Sequence, residues 1–335
     1  MVTFAIGEKY QKEFQNFKPS IEAYCKKYDW DFIEVKELFE IVEDRRFIIC
    51  QKLLIACQEW SKKYEAVVWV DSDMWITDNC PEIPTPAPGK IGICIEEAMH
   101  CWDIQKKVHE KRGWQLDNKE YYERFGFKED TPPWIMNAGL MVFRTDFDIR
   151  PLYDEMVETV RKIPVQSENG TLNHYEQPYL GWKLFKDDSY EIMDWRYNIV
   201  WPVWRCIVAE PYDSVNELVK PMTKLFEMAY TVHFTDREDL AVFEFAKKIT
   251  NFSKQNLVVS GKKAYGIFSS IIRLCNFKNI YVVPSIEPIK EFCPLAQYGW
   301  VFPKNIQSRA EYTFGPDDVS MEDVEKELNL KSPNI

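Results

Sequence analysis

No run of eighteen apolar residues occurs anywhere in the 335-residue chain, which excludes a membrane-spanning helix of ordinary length. There is no C-x-x-C pair either. The nine cysteines are odd in number and cannot all pair within the chain, and Cys80, Cys94 and Cys101 lack the spacing of a zinc site. Reduced, mostly buried thiols are therefore expected, and with them a cytoplasmic location. The strand-like run Thr3–Ile6 comes at once, so no secretory leader is expected. Positive charge is in deficit: 42 Lys and Arg against 53 Asp and Glu give a formal net charge of -11 with no basic stripe, which excludes a nucleic-acid surface. Internal repeats are absent, so a solenoid is excluded. Histidine is scarce, with four in the chain, so each one matters.

What is present is apolar and aromatic. A hydrophobic content of 46% with 15% aromatics is ample for a packed core. The twelve tryptophans suit a carbohydrate-handling groove as well as they suit core packing. Along the chain, a strand at Thr3–Ile6, a helix from Gln11 to Tyr28, a strand at Asp31–Val35 and a helix from Arg46 to Lys63 alternate. This alternation predicts an α/β fold with a doubly wound sheet. Further strands are expected at Ile91–Ile95, Ile135–Phe143 and Tyr230–Phe234, with helices at Pro151–Lys162 and Asn173–Lys186. After residue 250 the character changes, with strands at Asn256–Val259 and Asn279–Val283 around a helix at Ala264–Cys275, then a charged tail from Ser320. The expected organisation is one domain over 1–250 and a small C-terminal α/β appendage over 251–335.

The stretch that organises the rest is Val67-Val68-Trp69-Val70-Asp71-Ser72-Asp73. Four apolar residues, three of them β-branched, read as a strand buried on both faces, of the kind found in parallel sheets. It ends at two acids. On an extended backbone, carboxylates at i and i+2 point the same way and repel unless a cation sits between them. Open α/β sheets place ligands beyond the carboxyl ends of their strands, where this pair falls. A hard cation held by few protein carboxylates completes its coordination with water and substrate phosphates. An EF-hand loop is excluded, because Trp75 and Ile76 stand where a ligand and a glycine would be needed. A phosphatase of the dehalogenase type, with Asp71 as nucleophile, remains an alternative, as does a non-catalytic nucleotide-sugar-binding module.

Four further segments accompany the acid pair: Lys52-Leu53-Leu54, Met136-Asn137-Ala138-Gly139-Leu140, Glu176-Gln177 and Val232-His233-Phe234. In order and approximate spacing the set resembles glycogenin and the bacterial lipopolysaccharide galactosyltransferases, nucleotide-sugar glycosyltransferases of the GT-A fold. The Glu-Gln pair and the Asn after Met are equally similar to the yeast and plant α-glycosyltransferases related to the galactomannan enzymes. The likeness spans roughly residues 1 to 240. It implies a Rossmann-like, mostly parallel central sheet flanked by helices, and transfer of a sugar from a nucleotide-diphosphate donor, UDP-linked, to a glycan or glycoprotein acceptor.

By this resemblance Asp71 and Asp73 hold Mn2+ (or Mg2+) against the diphosphate, with His233 as third protein ligand and Ser72 beside the donor. Carboxylates plus an imidazole suit such a borderline cation. Lys52 is expected to reach the donor, Tyr10 to stack on the base, and Asn137 and Gly139 to meet the donor sugar. Glu176 and Gln177 are expected to face the sugar ring. If configuration inverts, an acid must deprotonate the acceptor; Glu176, Asp194 or an acid in 96–130 is available for that role. Glycogenin-like chains follow the metal histidine with a glycine and Lys-Pro-Trp, whereas here the run is His233-Phe234-Thr235-Asp236-Arg237; Arg237 could replace the lysine, though the match does not show it, and the departure leaves the donor and the anomeric outcome open.

Overall fold

The structure is a computed structural model that describes residues 1–42, 46–96, 118–162, 176–208, 218–235 and 243, together with the strands 256–260, 279–283 and 313–314. Arg237, the helix expected at 264–275, the charged tail and residues 97–117 lie outside the described residues. The chain divides into two compact units, Met1–Ile207 with Met228–Asp236, and Val208–Glu227 with Arg237–Ile335.

In the first unit the strands are β1 (Val2–Phe4), β2 (Ile33–Val35), β3 (Ala66–Val70), β4 (Met74–Ile76), β5 (Ile91–Ile95), β6 (Met136–Arg144), β7 (Tyr190–Ile192), β8 (Ile199–Val200) and β9 (Thr231–His233). Six of them form a sheet in the order β2-β1-β3-β6-β5-β7. β1 is parallel to β2 and β3, β7 is parallel to β5, and only β6 runs the other way, antiparallel to both β3 and β5. The expected mostly parallel sheet is present, with the organising strand β3 between a parallel and an antiparallel neighbour. The central strands are buried on both faces: every residue of β5 is buried, and so are eight of the nine in β6, Asn137 among them. Leu53, Trp69, Ile93, Met141, Phe143 and Leu184 belong to one continuous core.

Two helical expectations are corrected. The helix expected over 11–28 is two helices, Glu8–Phe14 and Lys18–Tyr28, with Pro19 in the first turn of the second. Proline lacks the N–H and clashes with the preceding turn, so it starts a helix and does not continue one. The helix expected over 46–63 is α-helical only at Arg46–Cys50. It tightens to 3-10 turns at Gln51–Cys57 and Glu59–Lys63, with Gln58 extended between them. Gln51 to Ala56 are all buried, so this segment threads the interior and presents no single apolar stripe to it.

A second small sheet, ordered β4-β9-β8, extends β3 beyond the acid pair. β4 lies antiparallel to β9 with Met74 opposite His233, and β9 lies parallel to β8. The second unit holds the parallel strands β10 (Asn256–Ser260), β11 (Asn279–Val283) and β12 (Thr313–Phe314), and a helix at Val219–Met228 whose Phe226 meets Phe243 edge-on at 5.9 Å. Among the described residues no helix is long and apolar enough to cross a membrane.

Candidate metal centre

The acid pair occupies the turn between β3 and β4. The Asp71 N–H donates to the Gly139 carbonyl at 2.8 Å, carrying the β3–β6 ladder one step past the strand, and Met74 N–H returns to the Asp71 carbonyl at 3.2 Å. The Phe234 N–H donates to the Asp73 carbonyl at 2.9 Å, which locks the end of β9 onto the same turn. His233 Nε2 thereby lies 3.6 Å from Asp71 Oδ2 and 3.3 Å from Asp73 Oδ1. One ligand atom from each of the three residues falls within 4.8 Å of the others.

These residues fit a divalent cation. Ligands at right angles around a cation about 2.1 Å away stand about 3 Å apart, close to the separations found. His233 is buried, Asp73 nearly so, and Asp71 is partly open on one side. Burial opposes protonation of His233, but the Asp73 and Asp71 carboxylates outweigh it and raise the imidazole above its usual range. Burial likewise pushes the Asp71 carboxyl up, against the pull of Lys52 and His233. Burial is the larger cause at Asp71, and the two neighbouring carboxylates are what raise His233.

Lys52 and Glu176 sit beside them. The Lys52 ammonium is 3.1 Å from Glu176 Oε1 and 3.6 Å from Asp71 Oδ1, donates to the Ala138 carbonyl at 3.2 Å and lies 5.3 Å from the centre of the Trp69 ring. Although burial works against its charge, Asp71 and Glu176 together raise its pKa. Lys52 is thus held among protein acids inside the molecule. Glu176 Oε2 is buried and has no hydrogen-bond partner among the described residues. An acceptor left open in this way points to a ligand hydroxyl. Gln177 Oε1 accepts from the Ala138 N–H at 3.1 Å, satisfying backbone where the β5–β6 pairing slips between Ile93 and Cys94.

Asn137 Oδ1 accepts from the Gly139 N–H at 2.9 Å and from Asn198 Nδ2 at 2.6 Å. Gly139 is required for space, since a Cβ there would stand 2.5 Å from His233 Cε1 and Nδ1. Ser72 lies in the turn, partly exposed. Tyr10 is on the helix that follows β1, 36% exposed, at the same end of the sheet because β1 and β3 are parallel. Among the described residues no hydrogen bond or ion pair joins Asp194 to the cluster. Its carboxylate caps the 3-10 turn Trp195–Asn198 through the Arg196 N–H and pairs with the Arg196 guanidinium at 2.6 Å, which holds its pKa below the usual carboxylate range.

Three participants have a place here that the sequence did not assign to them singly. Trp69 donates its indole N–H to Asp71 Oδ1 at 2.8 Å, aiming that carboxylate. Asn198, fully buried, touches both Asn137 and His233. Glu96 follows β5 directly and is hydrogen-bonded to Asn137; burial, partly offset by His233 and Asn137, lifts its carboxyl to about 7. For Glu96 the signal was present, an acid at the carboxyl end of a buried strand. For Asn198 there was none.

No protein-family profile matches the chain, and no curated protein sequence does. Among solved structures the chain is similar to glycosyltransferases. One, involved in the glycosylation of the major capsid of PBCV-1, is 16% identical over 73% of this chain and 98% of its own, with a TM-score of 0.44. The galactosyltransferase LgtC in complex with donor and acceptor sugar analogs is 14% identical over 74% of this chain and 95% of its own, TM-score 0.41. Mouse xyloside xylosyltransferase 1 is 11% identical over 70% and 97%, TM-score 0.35.

Proposed function

We propose that the protein is a metal-dependent glycosyltransferase that moves a sugar from a nucleotide-diphosphate donor, UDP-linked, to a hydroxyl of a glycan or glycoprotein acceptor. The observation that carries this reading is the convergence of Asp71, Asp73 and His233 ligand atoms within 4.8 Å at the carboxyl end of β3. Asp71, Asp73 and His233 would hold Mn2+ or Mg2+, which when bound supplies Lewis-acid stabilisation of the leaving diphosphate. Lys52 keeps Glu176 charge-balanced and aimed, and the open Oε2 of Glu176 accepts a hydroxyl of the donor sugar. Gln177 holds the β6 backbone in place below it. Tyr10, Ser72, Asn137, Gly139 and Arg237 complete the donor site in this reading. Of the acids available for an acceptor base, Glu96 stands at the carboxyl end of β5 against Asn137, whereas Asp194 is tied to Arg196. Residues 1–250 would carry the transfer and 251–335 would be an appendage to it. Among the described residues Cys25, Cys50, Cys57, Cys80 and Cys94 form no disulfide, which supports work in a reducing compartment such as the cytoplasm.

A thermal-shift panel of nucleotide sugars with and without Mn2+ tests the reading, because binding only to the folded state raises its apparent stability. UDP-sugars with Mn2+ should raise Tm, and EDTA should remove the effect. Transfer should be abolished in Asp71→Ala and Asp73→Ala. Undiminished transfer by either variant in EDTA would end the proposal.

A further inference from the structure

Asn198 lies outside every motif of the sequence, yet it is fully buried and makes the contact that connects the metal ligand His233 to the strand beneath the donor site. Its role follows from the polarity of one backbone group. The Gly139 N–H can only donate, and it donates to a side-chain atom of Asn137 at 2.9 Å, so that atom is the amide oxygen. The same oxygen stands 2.6 Å from one terminal atom of Asn198, which must therefore be its NH2 group. That NH2 also points at the Asn137 main-chain carbonyl at 3.4 Å, a second acceptor; an oxygen in its place would face two oxygens. The other terminal atom of Asn198 is then the carbonyl oxygen, 3.1 Å from His233 Nδ1.

A carbonyl oxygen facing a ring nitrogen requires the hydrogen to be on that nitrogen. The polarity set at Gly139 thus passes through two carboxamides to the imidazole. It puts a hydrogen on Nδ1 and leaves Nε2 as the nitrogen that faces Asp71 and Asp73, at 3.6 and 3.3 Å, where a cation would take the place of its proton. Metal-binding histidines generally have their second nitrogen fixed by an acceptor, which sets the tautomer and the ring orientation.

We infer that Asn198 is a positioning residue that fixes the Nδ1–H tautomer of His233 and so presents Nε2 to a divalent cation. The inference rests on the proposed metal site and adds to it the device that orders its histidine. The substitution that separates this role from simple packing is Asn198→Asp, which keeps an acceptor toward Nδ1 but cannot donate to Asn137. Asn198→Leu removes both functions.

The test is a Mn2+ titration of the full-length protein by electron paramagnetic resonance, paired with 15N spectra of the imidazole in protein loaded with Zn2+ as a diamagnetic stand-in. The His233 resonances are identified by their loss in His233→Ala. In the unaltered protein the spectra should show Nδ1 carrying the hydrogen and Nε2 bound to metal. Asn198→Leu should weaken Mn2+ binding by about 10- to 100-fold, the usual cost of losing such a partner. Asn198→Asp should keep the Nδ1–H pattern and bind Mn2+ at least as tightly as the parent, though its Tm falls. The inference is overturned if the metal sits on Nδ1, or if Asn198→Leu binds Mn2+ like the parent. Should Asn198→Leu not fold, Asn198→Asp decides alone, and a tenfold loss there counts against the inference. Failure of the unaltered protein to bind Mn2+ would instead sink the metal site itself.

Discussion

Gly139→Ala is the smallest change that reaches the centre of this site. The backbone at Gly139 does not have the positive φ that would exclude a side chain, so alanine is acceptable to the chain itself. The obstacle is the imidazole: the new methyl would stand 2.5 Å from His233 Cε1 and Nδ1 and 3.1 Å from Asn137 Oδ1. Carbon contacts relax at about 3.5–4.0 Å, so the ring must retreat by about 1 Å. It is held by Asn198 on one edge and by the β4–β9 pairing behind, so it cannot swing away freely. Overpacking of this kind costs about 1–3 kcal/mol, a Tm loss of roughly 2–10 °C at this size. A ligand misplaced by 1 Å should weaken Mn2+ binding on the order of 100-fold. Gly92→Ala is the control. It is also a strand glycine with close neighbours, Val142 Cβ at 3.1 Å and Met193 Sδ at 3.3 Å, but none of them belongs to the site. It should lower Tm and leave Mn2+ affinity unchanged. Parental Tm and parental Mn2+ affinity in Gly139→Ala would refute the steric account of this glycine.

Lys52→Met leaves Glu176 buried without its counter-charge and should destabilise the fold by about 3–5 kcal/mol, with part of the loss recovered in the double variant Lys52→Met/Glu176→Gln; equal denaturant midpoints for parent and single variant would contradict this. The pH dependence has a definite sign. His233 binds its proton more strongly folded than unfolded, so in metal-free protein its contribution to stability is fully present below about 6.5, the unfolded value, and is lost as pH rises through the raised folded value. Bound metal displaces that proton, so the Tm gain from Mn2+ should grow from pH 6 to pH 8; a gain that shrinks over this range would argue against Nε2 as a ligand. Trp69→Phe removes the indole N–H from Asp71 Oδ1, a hydrogen bond to a charged group contributing about 1.5–3 kcal/mol, and should lower both Tm and Mn2+ affinity, whereas unaltered affinity would show that Asp71 needs no such guide.

The sequence displays this site unevenly, for physical reasons. Asp71 and Asp73 are legible because a buried apolar strand that stops at two acids is a local pattern, readable within seven residues. Elements that bury an uninterrupted apolar run, such as β3 and β5, are legible in the same way. The break at Pro19 was also written in the chain, but phenylalanine and tyrosine at helical spacing on either side concealed it. The all-round burial of Gln51 to Ala56 was not readable, because the polar Gln51 and Lys52 suggest a surface. Their partners, the Phe39 and Glu40 N–H groups and the acids Asp71 and Glu176, are remote in sequence. Asn198 is the extreme case: an asparagine is ordinary anywhere, and its meaning comes wholly from what β6 and β9 bring near it.

His233 is bound into the site by main-chain register more than by its own side chain. Met74 pairs with His233, Trp75 with Val232 and Ile76 with Thr231, and the Phe234 N–H closes on the Asp73 carbonyl. Because strand side chains alternate, a slip of one residue would turn the imidazole to the opposite face and bring Val232 or Phe234 toward the acids. That slip is opposed by the burial of Val232 and Phe234 and by the Thr77 N–H and hydroxyl, which bond to the Tyr230 and Ala229 carbonyls at the far end of the pair. The three ligands should therefore be assembled before any cation arrives. Far-ultraviolet circular dichroism should not change on adding Mn2+, and amide exchange in β4 and β9 should be slow in metal-free protein. Rapid exchange there that slows only with metal would mean that the cation builds the site, and the geometric reading of His233 would have to be abandoned.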